Sequence, residues 1–563
     1  MREHNLEQKL AGLERLHRIG LALGAEKNRD VLVERILIEA KELCNADGGT
    51  LYLRTEDDDL AFTILRNDTL DIAMGGTTGE TINLPAIPLT RDGEPNHANV
   101  ASHCALLKHS VNIPDAYDAE GFDFSGTKAF DARSGYRSQS FLTIPMLNQE
   151  DRVIGVLQLI NARDADGAVV EFRPMDQEIA EALASQAAIA LDNQMLLYAQ
   201  RELMEAFIKL IAAAIDDKSP YTGGHCRRVP VLTELIAKAV CETEEGPFAA
   251  FDLSDSEWYE LHIAGWLHDC GKVTTPVHVM DKATKLETIT DRIQDVRTRY
   301  AVLRQTARIA RLEAVASGAD EAATQKAYEE ELAKLDDELA FLEVANIGGE
   351  FMSDDKKDRV RAIAERRYEN ERGELVPVLN DEEVHNLLIS RGTLTNDERI
   401  VINGHMVQTI RMLEALPFPR HLKRVPEYAG GHHEKMDGSG YPKGIYAGDM
   451  SVPARIMAIA DVFEALTAQD RPYKKGKALS EAMRIMGFMK RDNHLDPDLF
   501  DIFVKSGTYR RYAAEFLPAE LIDDVDEAAL LAIEPKPFEL PDTGERDQRW
   551  ASFLPEYEAT IRD

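Results

Sequence analysis

The sequence predicts a multidomain protein, with an α+β domain in its N-terminal part and an all-α domain in its C-terminal part. Three observations carry this prediction. Strand and helix patterns alternate over residues 28–175, and no Gly or Pro interrupts the helix-forming stretch from Asp176 to Ser219. Two heptad-patterned segments within 288–345 add an inserted antiparallel coiled coil to the all-α domain.

The composition is that of an ordinary globular chain. Of the 563 residues, 44% are hydrophobic and 29% are charged, which excludes wholesale disorder and a disulfide scaffold. Lys and Arg number 65 against 99 Asp and Glu, so at a net charge of −34 we expect no nucleic acid polymer as a partner. The sequence has no apolar run of about 18 residues, so we expect no membrane span. No signal-peptide core is present, and five cysteines without a C-x-x-C pair favour the cytoplasm.

The N-terminal part begins with a predicted helix over residues 1–27, where Leu6, Leu10 and Leu13 are spaced by four and three. This helix either packs on its own domain or forms a dimer. From 28 to 175, GTLYLRTEDDDLAFTILRND predicts two strands around an acidic turn, and SQSFLTIPMLNQEDRVIGVLQLINA predicts two more. We therefore expect an antiparallel sheet with flanking helices.

A long linker helix is predicted over residues 176–215, because Ala, Leu, Glu and Gln dominate there. It forms either one helix or two nearly continuous ones. Its role is either that of a rigid spacer or that of a rod that carries a rotation or register change between domains. The all-α domain then covers residues 216–520, and residues 521–563 form a C-terminal extension.

An insertion over residues 288–392 interrupts the all-α domain. Apolar residues step by four and three from Ile289 to Ala310, and the pattern resumes after Ser317-Gly318, from Tyr328 to Leu342. Two heptad-patterned helices joined by a short turn predict an antiparallel coiled-coil hairpin. The hairpin carries no chemically distinctive residues, so we expect it to be dispensable for chemistry.

Histidines are the informative residues of the all-α domain, which holds five short polar motifs. The motifs are YTGGHCRR with His225, WLHDCGK with His268 and Asp269, NGHMVQT with His405, GGHHEKMDGSGYPKG with His432 and His433, and IMAIADVFEALTAQDRPYKK with Asp461. Asp461 lies in an apolar helix, and a buried carboxylate needs a partner charge or a metal.

Together, five imidazoles and two carboxylates suit divalent metals of borderline softness. One metal could not use them all, whereas two metals that share a bridging carboxylate could. Such a pair suits the hydrolysis of a phosphate ester, and with Lys272 it would supply cationic charge inside an acidic protein. We expect two divalent metal ions per chain, Fe or Mn, with Zn and Ni as alternatives.

Two of these motifs resemble the HD-GYP domains, a branch of the HD phosphohydrolase superfamily that linearises cyclic di-GMP. The resemblance lies in HD-x-GK at 268–272 and in HHE-xx-DG-x-GYP at 432–442, and it covers residues 205 to 515 apart from the insertion. It implies a metal-dependent cyclic di-GMP phosphodiesterase that yields pGpG, with a slower second cut to GMP. Two departures from the family pattern are the late position of His405, caused by the insertion, and one extra residue in ALTAQDRPYK.

The resemblance also implies a set of metal ligands. His225, His268 and Asp461 would hold one metal, and Asp269 would bridge it to a second metal held by His405, His432 and His433. Some family members bind a third metal through a glutamate four residues before the first histidine. That position is Tyr221 here, so we expect two metals unless Asp216 or Asp217 takes its place.

Substrate contacts follow from the same resemblance. Asp269 and Lys272 would be the catalytic residues, with Lys272 on a substrate phosphate. Gly440, Tyr441 and Pro442 would form the signature loop near the substrate entrance. Arg471 and Lys474 would reach the other phosphate and the guanine edges.

The N-terminal domain resembles GAF sensor domains over residues 28–193, through NIPDAYDAEGFDF, DARSGYRSQSFLTIPM and IGVLQLINA. Cyclic-nucleotide-binding members carry an N-K…F-x-x-x-D-E signature. Here Asn161-Ala162 and Asp176-Gln177 lack its Lys and its final Glu. The small ligand of this domain is therefore unknown. His97, His103, Cys104 and His109 are ordinary loop and helix residues or, as the alternative, ligands of haem or a metal.

Three functional hypotheses follow. The leading one is a GAF-regulated phosphodiesterase, a homodimer, with cyclic di-GMP or a hybrid cyclic dinucleotide as substrate. The second is a non-catalytic signalling module that binds cyclic di-GMP, or a GGDEF-domain cyclase through the GYP loop. The third is another nucleotide phosphohydrolase of the HD superfamily.

Overall fold

The computed structural model describes residues 2–218, 224–469, 476–539 and 553–561, with side chains from residue 14 onward. The chain forms two compact units, Met1–Met204 and Glu205–Asp563. The first contains the main β-sheet and the second is almost entirely helical. The predicted order of an α+β domain and an all-α domain is confirmed. Within the described ranges, no helix combines the length and apolarity needed to cross a bilayer.

The first unit contains four helices and ten strands, and a fifth helix leaves it. The helices are α1 Arg2–Ala25, α2 Arg29–Leu43, α3 Val100–Leu107, α4 Ser125–Ser134 and α5 Pro174–Lys218. The strands are β1 Ala46–Arg54, β2 Asp59–Asn67, β3 Ile72–Gly75, β4 Ile87–Pro88, β5 Thr90–Arg91, β6 Glu94–Pro95, β7 Val111–Ile113, β8 Phe141–Leu147, β9 Val153–Arg163 and β10 Val169–Val170.

The main sheet is antiparallel, with the strand order β3-β2-β1-β9-β8-β7. Its central strands are buried on both faces. Alternate side chains point to opposite sides of the sheet and therefore belong to different cores. On β1, Leu51 and Leu53 belong to the core shared with α1, α2 and α5, whereas Tyr52 belongs to the core shared with α3. The four strands predicted from sequence are β1, β2, β8 and β9.

Helix α1 packs on its own domain through its C-terminal half. Leu16, Ile19 and Leu23 are buried in the core with α2 and α5. The side chains of Leu6, Leu10 and Leu13 lie outside the described residues. The predicted linker is a single helix, α5, rather than two.

The second unit surrounds the candidate site with short helices. They are α6 His225–Cys241, α7 Asp255–Leu267, α8 Val277–Met280, α13 Asn396–Asn403, α14 His405–Glu414, α15 Val425–Gly430, α16 Val452–Thr467, α17 Leu479–Arg491, α18 Pro497–Lys505, α19 Thr508–Phe516 and α20 Glu527–Leu531. A short 3-10 helix, Cys270–Thr274, follows α7. Residues 553–560 are also helical.

The insertion has a hydrophobic core of its own. Its elements are α9 Ile293–Ala316, α10 Glu321–Ile347, α11 Asp354–Ala364, β11 Arg367–Glu369, β12 Leu375–Pro377 and α12 Asp381–Leu387. Tyr300 and Leu342 from the hairpin pack with Val360 and Leu387 from the following helices. The predicted hairpin therefore belongs to a small subdomain.

Two details of the insertion differ from the prediction. Ile289 was assigned to the heptad pattern, but it is 94% exposed, because α9 begins only at Ile293. The strands β11 and β12 were not predicted. The sequence feature that could have indicated them is the turn between them. In that turn the Asn370 side chain accepts hydrogen bonds from the Arg372 and Glu374 amides.

A buried lysine anchors the base of the insertion. Lys282 Nζ donates to both carboxylate oxygens of Glu398 at 2.7 and 2.8 Å and to Asn386 Oδ1 at 2.8 Å. The Lys282 side chain is 1% exposed. Glu398 lies on α13, immediately before the segment of His405. The anchoring contacts are thus made at the stem, far along the chain from the hairpin tip.

Shortening the hairpin tip should leave the rest of the chain intact. No residue from 304 to 334 is buried, and loop length costs only about 0.6 kcal/mol per doubling. Replacing residues 306–330 by a short Gly/Ser linker should therefore leave the metal content and the unfolding midpoint unchanged. Leu335→Ala, at a buried position, is the contrasting variant and should cost about 2–5 kcal/mol. Loss of metal from the shortened chain would contradict this.

Candidate metal centre

The seven predicted ligands converge because most of them lie at helix ends. His225 begins α6, His268 and Asp269 follow α7, and His405 begins α14. His432 and His433 follow α15, and Asp461 lies within α16. A Cβ on Gly271 would lie 1.9 Å from the His405 carbonyl oxygen, so glycine is needed for the close approach of these two segments.

The seven side chains form two groups that share one carboxylate. One group contains His225, His268, Asp269 and Asp461, and the other contains Asp269, His405, His432 and His433. Within each group the candidate ligand atoms lie within 4.8 Å of one another. The His225 Nε2 atom lies 3.2 Å from Asp269 Oδ2, whereas His405 Nε2 lies 3.4 Å from Asp269 Oδ1. Asp269 thus turns one oxygen to each group.

Backbone carbonyls orient three of the imidazoles. The Nδ1 atom of His268 lies 2.7 Å from Gly265 O, that of His432 lies 2.6 Å from Ala429 O, and that of His405 contacts Ile402 O. Because a carbonyl can only accept, each Nδ1 is assigned the proton. Each Nε2 then keeps its lone pair and faces the centre, the arrangement typical of histidines that bind metals.

His225 is oriented by a carboxylate that the sequence analysis missed. Its Nδ1 contacts Glu464, which also accepts a hydrogen bond from Arg228 Nε at 2.7 Å. Burial alone would lower the pKa of His225, but Glu464, Asp269 and Asp461 raise it well above its ordinary value. The sequence contains one indication of this role, because Glu464 follows Asp461 by about one helical turn and therefore lies on the same face of α16. In the structure Glu464 is 1% exposed.

The donor set suits a divalent cation. Asp269 Oδ1, His405 Nε2 and His432 Nε2 are buried and have no hydrogen-bond partner among the described residues. Burial lowers the pKa of His432 to about 4 and, together with His432, holds that of His433 well below its usual range. Burial would raise the pKa of Asp269, but Lys272 and His268 hold it well below its ordinary value. Neutral imidazoles and an ionised carboxylate are the ligand forms that metals bind.

Lys272 forms an ion pair with the shared carboxylate. Its Nζ donates to Asp269 Oδ2 at 2.5 Å. The Lys272 side chain is 22% exposed, whereas that of Asp269 is 1% exposed.

The signature loop is folded around a second buried carboxylate. Glu434 accepts hydrogen bonds from the amides of Lys443 at 2.7 Å, Gly444 at 3.2 Å and Ile445 at 3.2 Å. A Cβ on Gly440 would lie 2.4 Å from the Glu434 Cα, so glycine is required there.

These contacts bring the signature loop onto a candidate ligand. The Tyr441 ring stacks on His433 at 4.8 Å between centroids, and Pro442 follows it, buried in the loop. The aromatic contact restricts the His433 ring on the side facing the loop.

Several predicted functional positions lie outside the described residues, namely Arg471, Lys474 and Tyr221. In the first unit, His97 and His103 lie together with ring centroids 5.0 Å apart. The buried Cys104 thiol instead contacts Thr143 O, and His109 Nδ1 contacts Leu107 O. The structure therefore does not gather these four residues around one point.

Comparison with known proteins gives two family matches. The GAF domain family model matches residues 28–191, and the HD domain family model matches residues 381–499. The GAF domain from an Acinetobacter phosphoenolpyruvate-protein phosphotransferase covers 33% of this chain and 94% of its own, at 15% identity and a TM-score of 0.24.

Curated relatives match this chain over a short region. A 3′3′-cGAMP-specific phosphodiesterase of Vibrio cholerae is 40% identical over 120 residues, which are 21% of this chain and 27% of that protein. A cyclic di-GMP phosphodiesterase of Pseudomonas aeruginosa is 38% identical over 120 residues, 21% of this chain and 28% of that protein. The chain thus spans about a quarter of the length of these relatives. With the two family matches, this establishes a chain that contains a GAF domain and an HD domain.

Proposed function

We propose that this chain is a metal-dependent phosphodiesterase that hydrolyses cyclic di-GMP to pGpG under the control of its GAF domain. The single observation that carries the proposal is the position of Asp269, with one oxygen toward each of two imidazole groups. The relatives named as cyclic dinucleotide phosphodiesterases support the substrate class.

The centre would hold two divalent ions, Fe or Mn, with Zn or Ni as alternatives. When bound, two such cations act as Lewis acids toward the phosphodiester and lower the pKa of water. Water attacks phosphorus in line, the ribose 3′ oxygen leaves with a proton, and the linear product keeps a 5′-phosphate. Asp269 and Asp461 supply the anionic charge that retains the cations, and the imidazoles complete both groups, with His225 releasing its proton to the solvent when a metal binds.

Other residues of the chain would act on the substrate directly. The Lys272 ammonium, which pairs with Asp269, would neutralise an oxygen of the substrate phosphate. Gly440, Tyr441 and Pro442 would border the substrate entrance, since Tyr441 already stacks on His433. Arg471 and Lys474 would hold the second phosphate and the guanine edges.

A hybrid cyclic dinucleotide is the second candidate substrate. The observation in its favour is the similarity to the relative named as specific for 3′3′-cGAMP. Measuring kcat/KM for cyclic di-GMP and for 3′3′-cGAMP on the same preparation decides between the two substrates.

The partners and location of the protein are further parts of the proposal. A small molecule would bind the GAF domain, and a GGDEF-domain protein could dock on the loop that holds Tyr441. The enzyme would act in the cytoplasm, where cyclic dinucleotides are signals.

Helix α5 supports a homodimer. Ile189, Leu196 and Leu203 recur every seven residues and are 40%, 61% and 57% exposed. Asn193 and Gln200 occupy the intervening exposed positions. An exposed heptad stripe with polar residues at alternate core positions is typical of two-stranded coiled coils with a defined register.

Changing the stripe should abolish the dimer. The double variant Leu196→Glu/Leu203→Glu places like charges at the proposed seam, where they repel each other. Sedimentation should then give a monomer at concentrations where the native chain is a dimer. Tyr198→Glu, on the opposite face and 64% exposed, is the matched control and should remain dimeric. A dimer in the double variant would place the interface elsewhere.

Removal of the shared carboxylate should empty both metal positions. Asp269→Ala should lose both ions in metal analysis and lower kcat/KM by at least about a hundredfold, since even groups that only support metal ligands account for roughly 10–100-fold. Asp354→Ala, whose carboxylate is 94% exposed, should retain two ions and full turnover. Two metals with native activity in Asp269→Ala would remove the bridging role.

The product of the first cut should accumulate. Tyr221 stands where a third-metal glutamate would be, and a phenol with an ordinary pKa of about 10 is a poor ligand for a hard cation. Metal analysis should therefore give two ions per chain, and pGpG should appear well before GMP in a time course on cyclic di-GMP. A third ion, or GMP formed as fast as pGpG, would contradict this.

A further inference from the structure

The last turn of α5 contacts the start of the helix that presents His225. The Asp216 carboxylate accepts hydrogen bonds from the amide of Gly224 at 3.1 Å and from that of Cys226 at 3.2 Å. Its side chain is buried, with 6% exposure. Because the first amides of a helix lack partners within the helix, Asp216 satisfies the N-terminus of α6 and fixes its position.

The same turn also holds the segment of Lys272. Lys218 Nζ donates to Lys272 O at 3.2 Å, to Thr275 O at 2.7 Å and to Val273 O. These carbonyls belong to the short 3-10 helix and its end, just after Asp269. The Lys218 ammonium group donates hydrogen bonds to these carbonyl oxygens and so holds them in one orientation. Two side chains of one helical turn thus position both the first candidate ligand and the candidate phosphate-binding lysine.

These contacts require one particular rotation of α5 about its own axis. Ala212 and Ile215 are 0% and 3% exposed, and they hold the same face of α5 within the second unit. Each residue turns a helix by about 100°, so a slip by one position would replace Asp216 by Ile215 or by the exposed Asp217. The contacts to α6 and to the Lys272 segment therefore depend on the rotation of α5 about its axis.

Helix α5 is suited to carry a displacement to this turn. It begins at Pro174, within the residues that match the GAF domain, and ends at Lys218. No Gly or Pro follows Pro174 within it, so it lacks the residues at which helices usually kink.

From these contacts we infer that the last turn of α5 is the element through which the N-terminal domain controls the metal centre, with Asp216 and Lys218 as its positioning residues. The inference rests on the proposed function for its catalytic readout. Rotation or withdrawal of α5 releases the start of α6 and the Lys272 carbonyl, so that His225 and Lys272 lose their alignment. Neither Asp216 nor Lys218 is required to touch substrate.

Substitutions in the full chain test the positioning roles. Lys218→Gln should lower kcat/KM for cyclic di-GMP by about 10–100-fold, the usual effect of losing a group that orients a metal site. Lys218→Arg keeps the donors and should restore most of the activity. Lys209→Gln is the control on the same helix. Lys209 is 51% exposed and lies near Glu205 and the Trp266 ring rather than on the start of α6 or the Lys272 segment, so this variant should stay within about twofold. Equal activity of Lys218→Gln and Lys209→Gln would overturn the inference, as would Asp216→Ala with native Mn²⁺ affinity.

Insertions into α5 test the transmission itself. Two alanines added after Gln200 rotate the helix by about 200°, whereas seven residues restore its face. The short insertion should change kcat/KM by about 5- to 150-fold, the range of allosteric coupling, and the long one should not. In the Asp216→Ala/Lys218→Gln background, which lacks both positioning residues, the short insertion should have no further effect. Equal activities of the two insertions would show that α5 does not transmit.

Mn²⁺ titration separates this inference from the proposed function. If the native chain does not hydrolyse cyclic di-GMP, the proposed function fails, but the Mn²⁺ affinities of the same variants still decide the positioning role. Lys218→Gln and the two-residue insertion should each weaken Mn²⁺ binding by roughly tenfold, and Lys209→Gln should not. Native affinity in all three variants would overturn the inference whatever the substrate.

Discussion

The buried carboxylate of Asp269 is the constraint on which the second unit depends. With 1% exposure, an ionised side chain there requires several compensating groups. His225, His268, His405 and Lys272 all lie within 3.4 Å of its oxygens. His225 and His405 are distant from Asp269 in the chain, so several helix ends must meet at one point. The absence of a side chain at Gly271 makes the closest of these approaches sterically feasible.

Two further buried carboxylates hold the surroundings of the centre without belonging to either ligand group. Glu464 connects His225 to Arg228, and Glu434 gathers the amides of the signature loop beneath Tyr441. Glu464 is paired with two cationic side chains, whereas Glu434 has only amide donors and burial raises its pKa to about 7. Their effect is orientation, because Glu464 restricts the His225 ring and Glu434 fixes the backbone of the signature loop.

The hairpin subdomain and helix α5 differ in where they contact the second unit. The hairpin subdomain has its own core and joins the unit through Lys282 and Glu398 at its stem. Helix α5, in contrast, places Asp216 and Lys218 directly on the segments of His225 and Lys272. A surface insertion is well tolerated when its contacts with the rest of the unit lie at its own base. Displacement of a helix whose side chains satisfy the ends of two other helices would instead leave their backbone groups without partners.

The sequence by itself determined the candidate ligand set and the order of elements. Residue types and motif spacing identified all seven candidate ligands, and periodicity identified the long helix, the hairpin and the four central strands. These features are local, since each depends on residues close in the chain. The short strands β11 and β12 were missed because three residues carry too little periodic signal.

Only the tertiary structure decided which oxygen of Asp269 faces which group. It also decided that Glu464, Asp216 and Lys218 contact His225 or the segments that carry His225 and Lys272. Glu464 lies 239 positions from His225, and Lys218 lies 54 positions from Lys272. Such contacts arise from the packing of α5, α6 and α16, which no local pattern specifies. A sequence determines which side chains can take part in chemistry, whereas burial and the convergence of distant helices determine which of them do.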